Sequence, residues 1–262
     1  VTDHSLHDHA ASWRARFAAG ESPITTSGLA RGFVQANLAV VPRDVADEFL
    51  AWCRANPKPC PVLGVGGRAI PELGVQDVAR ELPRYRIWRD GEEVDRPGDV
   101  AGLWRDDFVA VALGCSYSFD DALAAAGVRL RNVELGINPP IYETGLETRR
   151  VGRFGGRLIV SMRPLPRADA VRAVAVTARY PLAHGAPVHI GDPRAIGIDP
   201  DRPINESTLR AEADEIAVFW ACGVTPESAL RGARLPLAIT HAPGAMLITD
   251  LRLDTLLDRA AA

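Results

Sequence analysis

Apolar positions first recur at helical spacing in residues 6–19, where Leu6, Ala10, Trp13 and Phe17 share a face and Gly20 ends the run. Residues 22–32 are polar and marked by glycine, as a loop or short helix would be. The stretch 33–41 predicts a strand. Pro42 then leads an amphipathic helix over 43–55, with Val45, Phe49, Leu50, Trp52 and Cys53 at helical spacing. Prolines 57, 59 and 61 enforce an extended connection into an apolar strand at 62–65. Residues 84–94 predict a hairpin about Asp90-Gly91, and an apolar strand begins at Phe108. The second half predicts a strand at 158–161, a turn at Pro164 and Pro166, and a helix at 168–180. A strand at 216–222, a helix at 226–232, two short strands and a terminal helix follow. Residues 145–156, rich in glycine and arginine, are the candidate boundary between a half 1–150 and a half 151–262. Strands alternating with helices predict an α/β fold, a layered α/β sandwich of two sub-domains with a cleft between them.

Composition narrows the function classes. The 262 residues are 47% hydrophobic and 24% charged, ordinary for a globular chain with a sizeable core. A net charge of −3 gives no electrostatic case for nucleic acid or an anionic membrane, and no apolar run reaches membrane-span length. Lys58 is the one lysine, so the positive charge is almost all arginine, the side chain suited to bidentate carboxylate binding. The first residues lack the pattern of a secretory signal, and four cysteines read as reduced thiols, so a cytoplasmic protein is expected. His4, His7 and His9 are expected on a solvated first helix. Gly64-Val65-Gly66-Gly67 follows a strand, but the dinucleotide spacing is absent and Pro71 and Gly74 interrupt the helix it would need.

Two segments repeat one pattern. In each, an apolar strand ends in a cysteine (Cys115, Cys222), a hydroxyl follows three positions on (Ser118, Thr225), and an acid stands two further (Asp120, Glu227). An Ala-Leu pair comes next, at 122–123 and 229–230. The hydroxyls suit N-caps, Pro226 suits a first helical position, and the acids suit the helix dipole. Each unit predicts a thiol at the carboxyl end of a strand beside helix N–H groups able to hold an anion, the second with Gly223 allowing close approach. A separate stretch, His184-Gly-Ala-Pro-Val-His-Ile-Gly-Asp192, places His184, His189 and Asp192 on a backbone broken by glycine and proline.

Together with Phe33-Val-Gln-Ala-Asn37, Asn56-Pro-Lys-Pro-Cys60-Pro, Gly114-Cys-Ser116, Ser161-Met-Arg-Pro164, Phe219-Trp-Ala-Cys-Gly-Val-Thr-Pro226 and Thr240-His-Ala-Pro-Gly244, that stretch resembles the hydro-lyase family of the D-glutamate cyclase type. The resemblance runs from about residue 20 to 252. It implies dehydration of a small amino-dicarboxylate, D-glutamate closing to 5-oxo-D-proline. The segment Glu134-x-Gly136-x-Asn138 and the following Tyr142 carry it further as candidate substrate contacts. One departure concerns the substrate: relatives follow that segment with Met-Tyr-Arg-Thr-Asn, whereas this chain has Ile141-Tyr142-Glu143-Thr144-Gly145.

Such chemistry needs a general base, a general acid and oxyanion stabilisation. His184, His189 and His241 are candidate acid–base groups, with Asp192 to orient one imidazole. Arg163 is a candidate bidentate clamp for the α-carboxylate. Gly223, Thr225, Ser116 and Ser118 are further substrate contacts, and Cys115 and Cys222 are candidate proton donors. No cofactor is required. A divalent metal on His184 and His189, completed by Asp192, His241 or Cys222, is the variant considered beside it. Two thiols across a pseudo-symmetric cleft also suit a cofactor-independent amino-acid racemase, and a non-catalytic carboxylate-binding module would keep the cleft without turnover. The expected partner is a small carboxylate, with no nucleic acid and no membrane; a homo-oligomer is left open.

Overall fold

Ten residues with almost no exposed side chain make Phe33–Pro42, strand β1, the spine of the molecule. A computed structural model describes residues 4–257; the side chains of His4, His7 and His9 and the chain beyond Leu257 lie outside the described part. Helix α1 (His4–Ala18) precedes β1, and α2 (Arg43–Ala55) follows it directly. Next come β2 (Val62–Gly66), the hairpin β3 (Tyr85–Arg89) and β4 (Glu92–Asp95), then β5 (Phe108–Gly114). The middle of the chain holds α3 (Asp120–Ala125), α4 (Arg131–Glu134), β6 (Ile141–Glu147), β7 (Arg157–Pro166) and α5 (Arg167–Thr177). The last third runs through β8 (His189–Ile190), β9 (Glu215–Ala221), α6 (Thr225–Ala233), β10 (Ala238–His241) and β11 (Leu247–Arg252). No helix among the described residues is long and apolar enough to cross a membrane.

These strands make two antiparallel sheets, so the fold is mixed α/β. The larger has the order β2-β5-β1-β10-β3-β4, with β11 also on β1; the smaller has the order β6-β7-β9-β8. β10 and β11 share one edge of β1, pairing with its C-terminal and N-terminal parts, while β5 takes the other edge. The chain therefore does not divide between sheets at residue 150. β6 joins the smaller sheet before that point, and β10 and β11 return to the larger one.

Side-chain alternation along β1 decides what covers each face. Ala36, Leu38 and Val40 pack with Leu73, Val78 and Leu82 on one side. Ala39 and Val41 pack beneath α2 and α6 on the other, with Phe49, Trp52, Ala229 and Leu230. Burying aromatic side chains such as these contributes about 1.5–3 kcal/mol each. The smaller sheet packs Leu165, Val218 and Trp220 against α3 and α5.

Three local expectations are corrected. Pro164 is not a turn: β7 runs through it, paired with Ala217. Met162 N–H points to Pro140, and by strand parity the Pro164 nitrogen faces the same side, where β6 no longer pairs; a proline on a free edge leaves no donor unmatched. β6, at the supposed boundary, is a strand because Ile141 and Tyr142 are buried against β7 although its later residues are exposed. Finally, Leu253–Leu256 is a single 3-10 turn.

Candidate functional site

The two sheets meet at the carboxyl ends of β5 and β9, and a cavity lies there. Its wall includes Asn37, Cys115, Ser116, Tyr117, Asn138, Ser161, Cys222 and His241. The volume is ≈ 30 Å³, room for a few waters at most, so a glutamate-sized molecule enters only as the seam widens. At Asn138, Asn205 and Pro243 the cavity adjoins an open groove of ≈ 750 Å³.

The sequence repeat is realised as a pseudo-two-fold arrangement. Cys115 Sγ accepts the Tyr117 N–H at 3.4 Å, and the Cys222 sulfur likewise accepts from Val224, two residues on. Ser118 Oγ accepts Gln35 N–H and donates to Gln35 C=O, both at 3.0 Å, pinning β1. Thr225 Oγ1 accepts the Ile159 N–H at 3.1 Å, which pins β7, and donates to the Cys222 C=O at 2.7 Å. Each unit's acid then reaches an arginine on the opposite sheet: Asp120 pairs with Arg163 of β7 at 2.9 Å, and Glu227 pairs with Arg86 of β3 at 2.6 Å. Asn37 and Asn138 complete the seam. A Cβ on Gly223 would fall 1.9 Å from Asn37 Nδ2, and one on Gly244 would fall 2.2 Å from Asn138 Oδ1. Only glycine allows those two backbones to approach so closely.

Burial sets the protonation of the site. It pushes the Cys222 thiol up to about 11 and the Cys115 thiol well up, with the opposing thiol adding to the rise at Cys115, so both sulfurs are neutral at pH 7. Asp120 is raised to about 6 and Glu227 to about 7, by desolvation that their arginines only partly offset. His241 is held at about 4 by burial. Its Nδ1 lies 3.2 Å from the Leu38 N–H and 3.3 Å from the Leu38 C=O. Nδ1 accepts from the first in one tautomer and donates to the second in the other, and Nε2 is a buried atom with no protein partner among the described residues, on a residue of the cavity wall.

This histidine has a consequence for acid stability. Unfolded, it titrates near 6.5; folded, at about 4, so between those values the unfolded chain binds more protons. The stabilisation is complete above 6.5 and is lost as pH falls through 4. Asp120 and Glu227 carry the opposite sign, their contribution being full below the unfolded carboxylate range and lost as pH rises through 6 and 7. The difference between wild type and His241→Asn therefore isolates the imidazole. Urea unfolding from pH 7 to 4 should show a shallower acid-side loss in the variant, and parallel curves would contradict the assignment.

Of the residues expected from sequence, Cys115, Ser116, Asn138, Cys222 and His241 converge on the cavity. Arg163 stands one layer behind it. Its guanidinium is held by Asp120, lies over Phe119 and Trp220, and donates to Ser116 Oγ at 3.2 Å and Ser161 Oγ at 3.4 Å. It therefore orients hydroxyls of the wall and does not itself face a ligand. Ser118 and Thr225 are strand clamps, Thr225 N–H already bonds Cys222 C=O, and Gly223 lies under Asn37.

The remaining candidates lie elsewhere. His184 is buried and its Nδ1 meets Lys58 C=O at 2.8 Å. His189 Nε2 bonds Asp192 C=O at 2.7 Å, its ring beside Phe219, while the Asp192 carboxylate caps Arg194 N–H. Glu134 is an exposed partner of Arg129, and Tyr142 donates to Pro200 C=O at 3.2 Å. Glu143 pairs on the surface with Arg231. Among the described residues no three His, Cys, Asp or Glu side chains converge in a way that would hold a metal ion. Asn37, Tyr117, Ser161 and the buried ion pairs went unrecognised as parts of the site. The acid position of the repeat was the signal for the ion pairs, and Asn37 and Ser161 stand in stretches that carry the family resemblance.

Comparison with known proteins finds relatives of this chain. The D-glutamate cyclase family matches residues 109–250, more than half of the chain and every cavity residue named above except Asn37. A "Putative hydro-lyase" of Methylobacterium sp. (strain 4-46) is 54% identical over 238 residues, covering 89% of this chain and 88% of its own. One from Bordetella pertussis (strain Tohama I) is 54% identical over 231 residues, 86% and 83% of the two chains. One from Bradyrhizobium diazoefficiens is 52% identical over 237 residues, 88% of each. A crystal structure of a nitrogen repressor-like protein from Methanococcus jannaschii aligns at TM-score 0.39 and 16% identity over 87% of this chain and 90% of its own, a likeness too slight to argue from.

Proposed function

Because this chain belongs to the D-glutamate cyclase family, we propose that it is a hydro-lyase of a small amino-dicarboxylate, closing D-glutamate to 5-oxo-D-proline in the cavity between the two sheets. The observation that supports this most is His241 Nε2, a buried ring nitrogen without a protein partner among the described residues, beside two neutral thiols. In the reaction a bond forms from the amine nitrogen to the side-chain carboxyl carbon and one carbon–oxygen bond breaks. The ammonium gives up two protons, and the departing oxygen takes up two and leaves as water. In the tautomer that carries its proton on Nε2, the neutral imidazole is a donor suited to the oxyanion that develops on that carbon. Arg163 donates to the oxygens of Ser116 and Ser161, which leaves both hydroxyl protons available to the cavity. Cys115 and Cys222, protonated at rest, serve as carriers between nitrogen and leaving oxygen. No step requires a cofactor.

A racemase reading has one observation in its favour, the two thiols around one cavity. It needs one of them as a thiolate, and burial opposes that in both. Incubation with D-glutamate in deuterated solvent separates the readings by mass. The expected product is lighter by one water and carries no deuterium at Cα. Deuterium at Cα without loss of water would shift the assignment to racemisation, and saturable binding with neither change would leave a carboxylate-binding module.

A further inference from the structure

The groove beside the cavity is built for an anion. Arg84, Arg86 and Arg96 stand in its wall with one carboxylate, Glu206. Arg96 is tied to Glu93, and Arg86 is shared between Glu93 and Glu227, so those two guanidinium groups are compensated from behind. Arg84 is different. It is half-buried, and among the described residues its guanidinium bonds only neutral oxygens, Ser22 Oγ and Ile24 C=O, each at 3.3 Å.

Its position is fixed from the cavity side. The Arg84 C=O accepts Ala242 N–H at 3.0 Å, beside His241, and Asn138 Nδ2 donates at 3.4 Å to the same Ile24 carbonyl that Arg84 holds. Asn138 lines both spaces, so the Arg84 guanidinium is one carbonyl oxygen away from the cavity wall. At ≈ 750 Å³ the groove has ample room for the part of a ligand that the cavity cannot hold.

We propose that this groove is an oxyanion subsite, in which Arg84, backed by Arg86, takes a carboxylate or phosphate of a ligand whose other end reaches the cavity. The assignment rests on reading the cavity as the reaction site. Its chemistry is the guanidinium fork, which matches both oxyanions, so the ligand class is a small metabolite with a second anionic group.

Calorimetric titration of the full chain with glutarate, inorganic phosphate and butyrate tests it. Wild type should bind glutarate or phosphate, and Arg84→Gln should weaken that binding about 10- to 100-fold, as expected for losing a charged hydrogen bond. Arg84→Lys should fall between them, and circular dichroism checks that each variant is folded. Cys222→Ser should bind phosphate as wild type does. Preference for phosphate points to a phosphorylated ligand, and preference for glutarate to a dicarboxylate. Butyrate binding as tightly as glutarate, no binding by wild type, or unchanged binding in Arg84→Gln would overturn the subsite. Arg84-dependent binding without turnover of D-glutamate would keep the subsite and remove the cyclase reading, so the two fail separately.

Discussion

Replacing Arg163 by Met should lower the unfolding free energy by about 3–5 kcal/mol, the cost of leaving one member of a buried ion pair alone. Its side chain is 1% exposed and that of Asp120 is 5% exposed, so neither charge has water to fall back on. Removing the guanidinium strands the carboxylate and also takes the donor from Ser116 and Ser161. The loss is specific to the unpaired charge. Arg163→Met combined with Asp120→Leu should recover most of the stability, because replacing both partners removes the desolvation cost together with the attraction. Urea denaturation of the two variants checks this. A single-variant loss below about 1 kcal/mol, the level of a surface pair, would contradict the buried geometry.

His241→Asn should reduce kcat on D-glutamate by about 10²–10³, the usual effect of removing one oxyanion donor, with KM little changed. The asparagine amide can still meet the Leu38 backbone where Nδ1 does, but it has nothing at the Nε2 position. His241→Gln puts a donor back near Nε2 and should recover part of the rate. Steady-state kinetics on D-glutamate provide the check. Equal rates in the Asn variant and wild type would remove His241 from the chemistry, and a raised KM at constant kcat would give it a binding role only.

Much of this was legible before the structure, because its information is local. β1, α2 and β9 lie within a residue of where periodicity puts them, since each carries its own apolar face. The repeat at Cys115 and Cys222 was also readable, as turn chemistry recurs at fixed offsets. What could not be read was which distant arginine each acid meets. Asp120 and Glu227 look like ordinary first-turn acids until two sheets are docked and Arg163 and Arg86 arrive from the other sheet. Proximity in sequence misled in the opposite direction: the His189 ring bonds the Asp192 C=O and the Asp192 carboxylate caps Arg194 N–H, beside the edge strand β8 and away from the cavity. β6 was missed because only its first residues are buried, so the alternation that marks a strand fades after Thr144.

A crystal of the protein grown with 5-oxo-D-proline tests the location of the chemistry most directly. The ligand should sit between Cys115 and Cys222 with its lactam oxygen within hydrogen-bond distance of His241 Nε2, and the seam at Asn138 and Gly244 should be wider than in the unliganded form. Density for the ligand only in the apolar hollow beside Val171 and Ile190, or a cavity unchanged at saturating ligand, would place the reaction elsewhere.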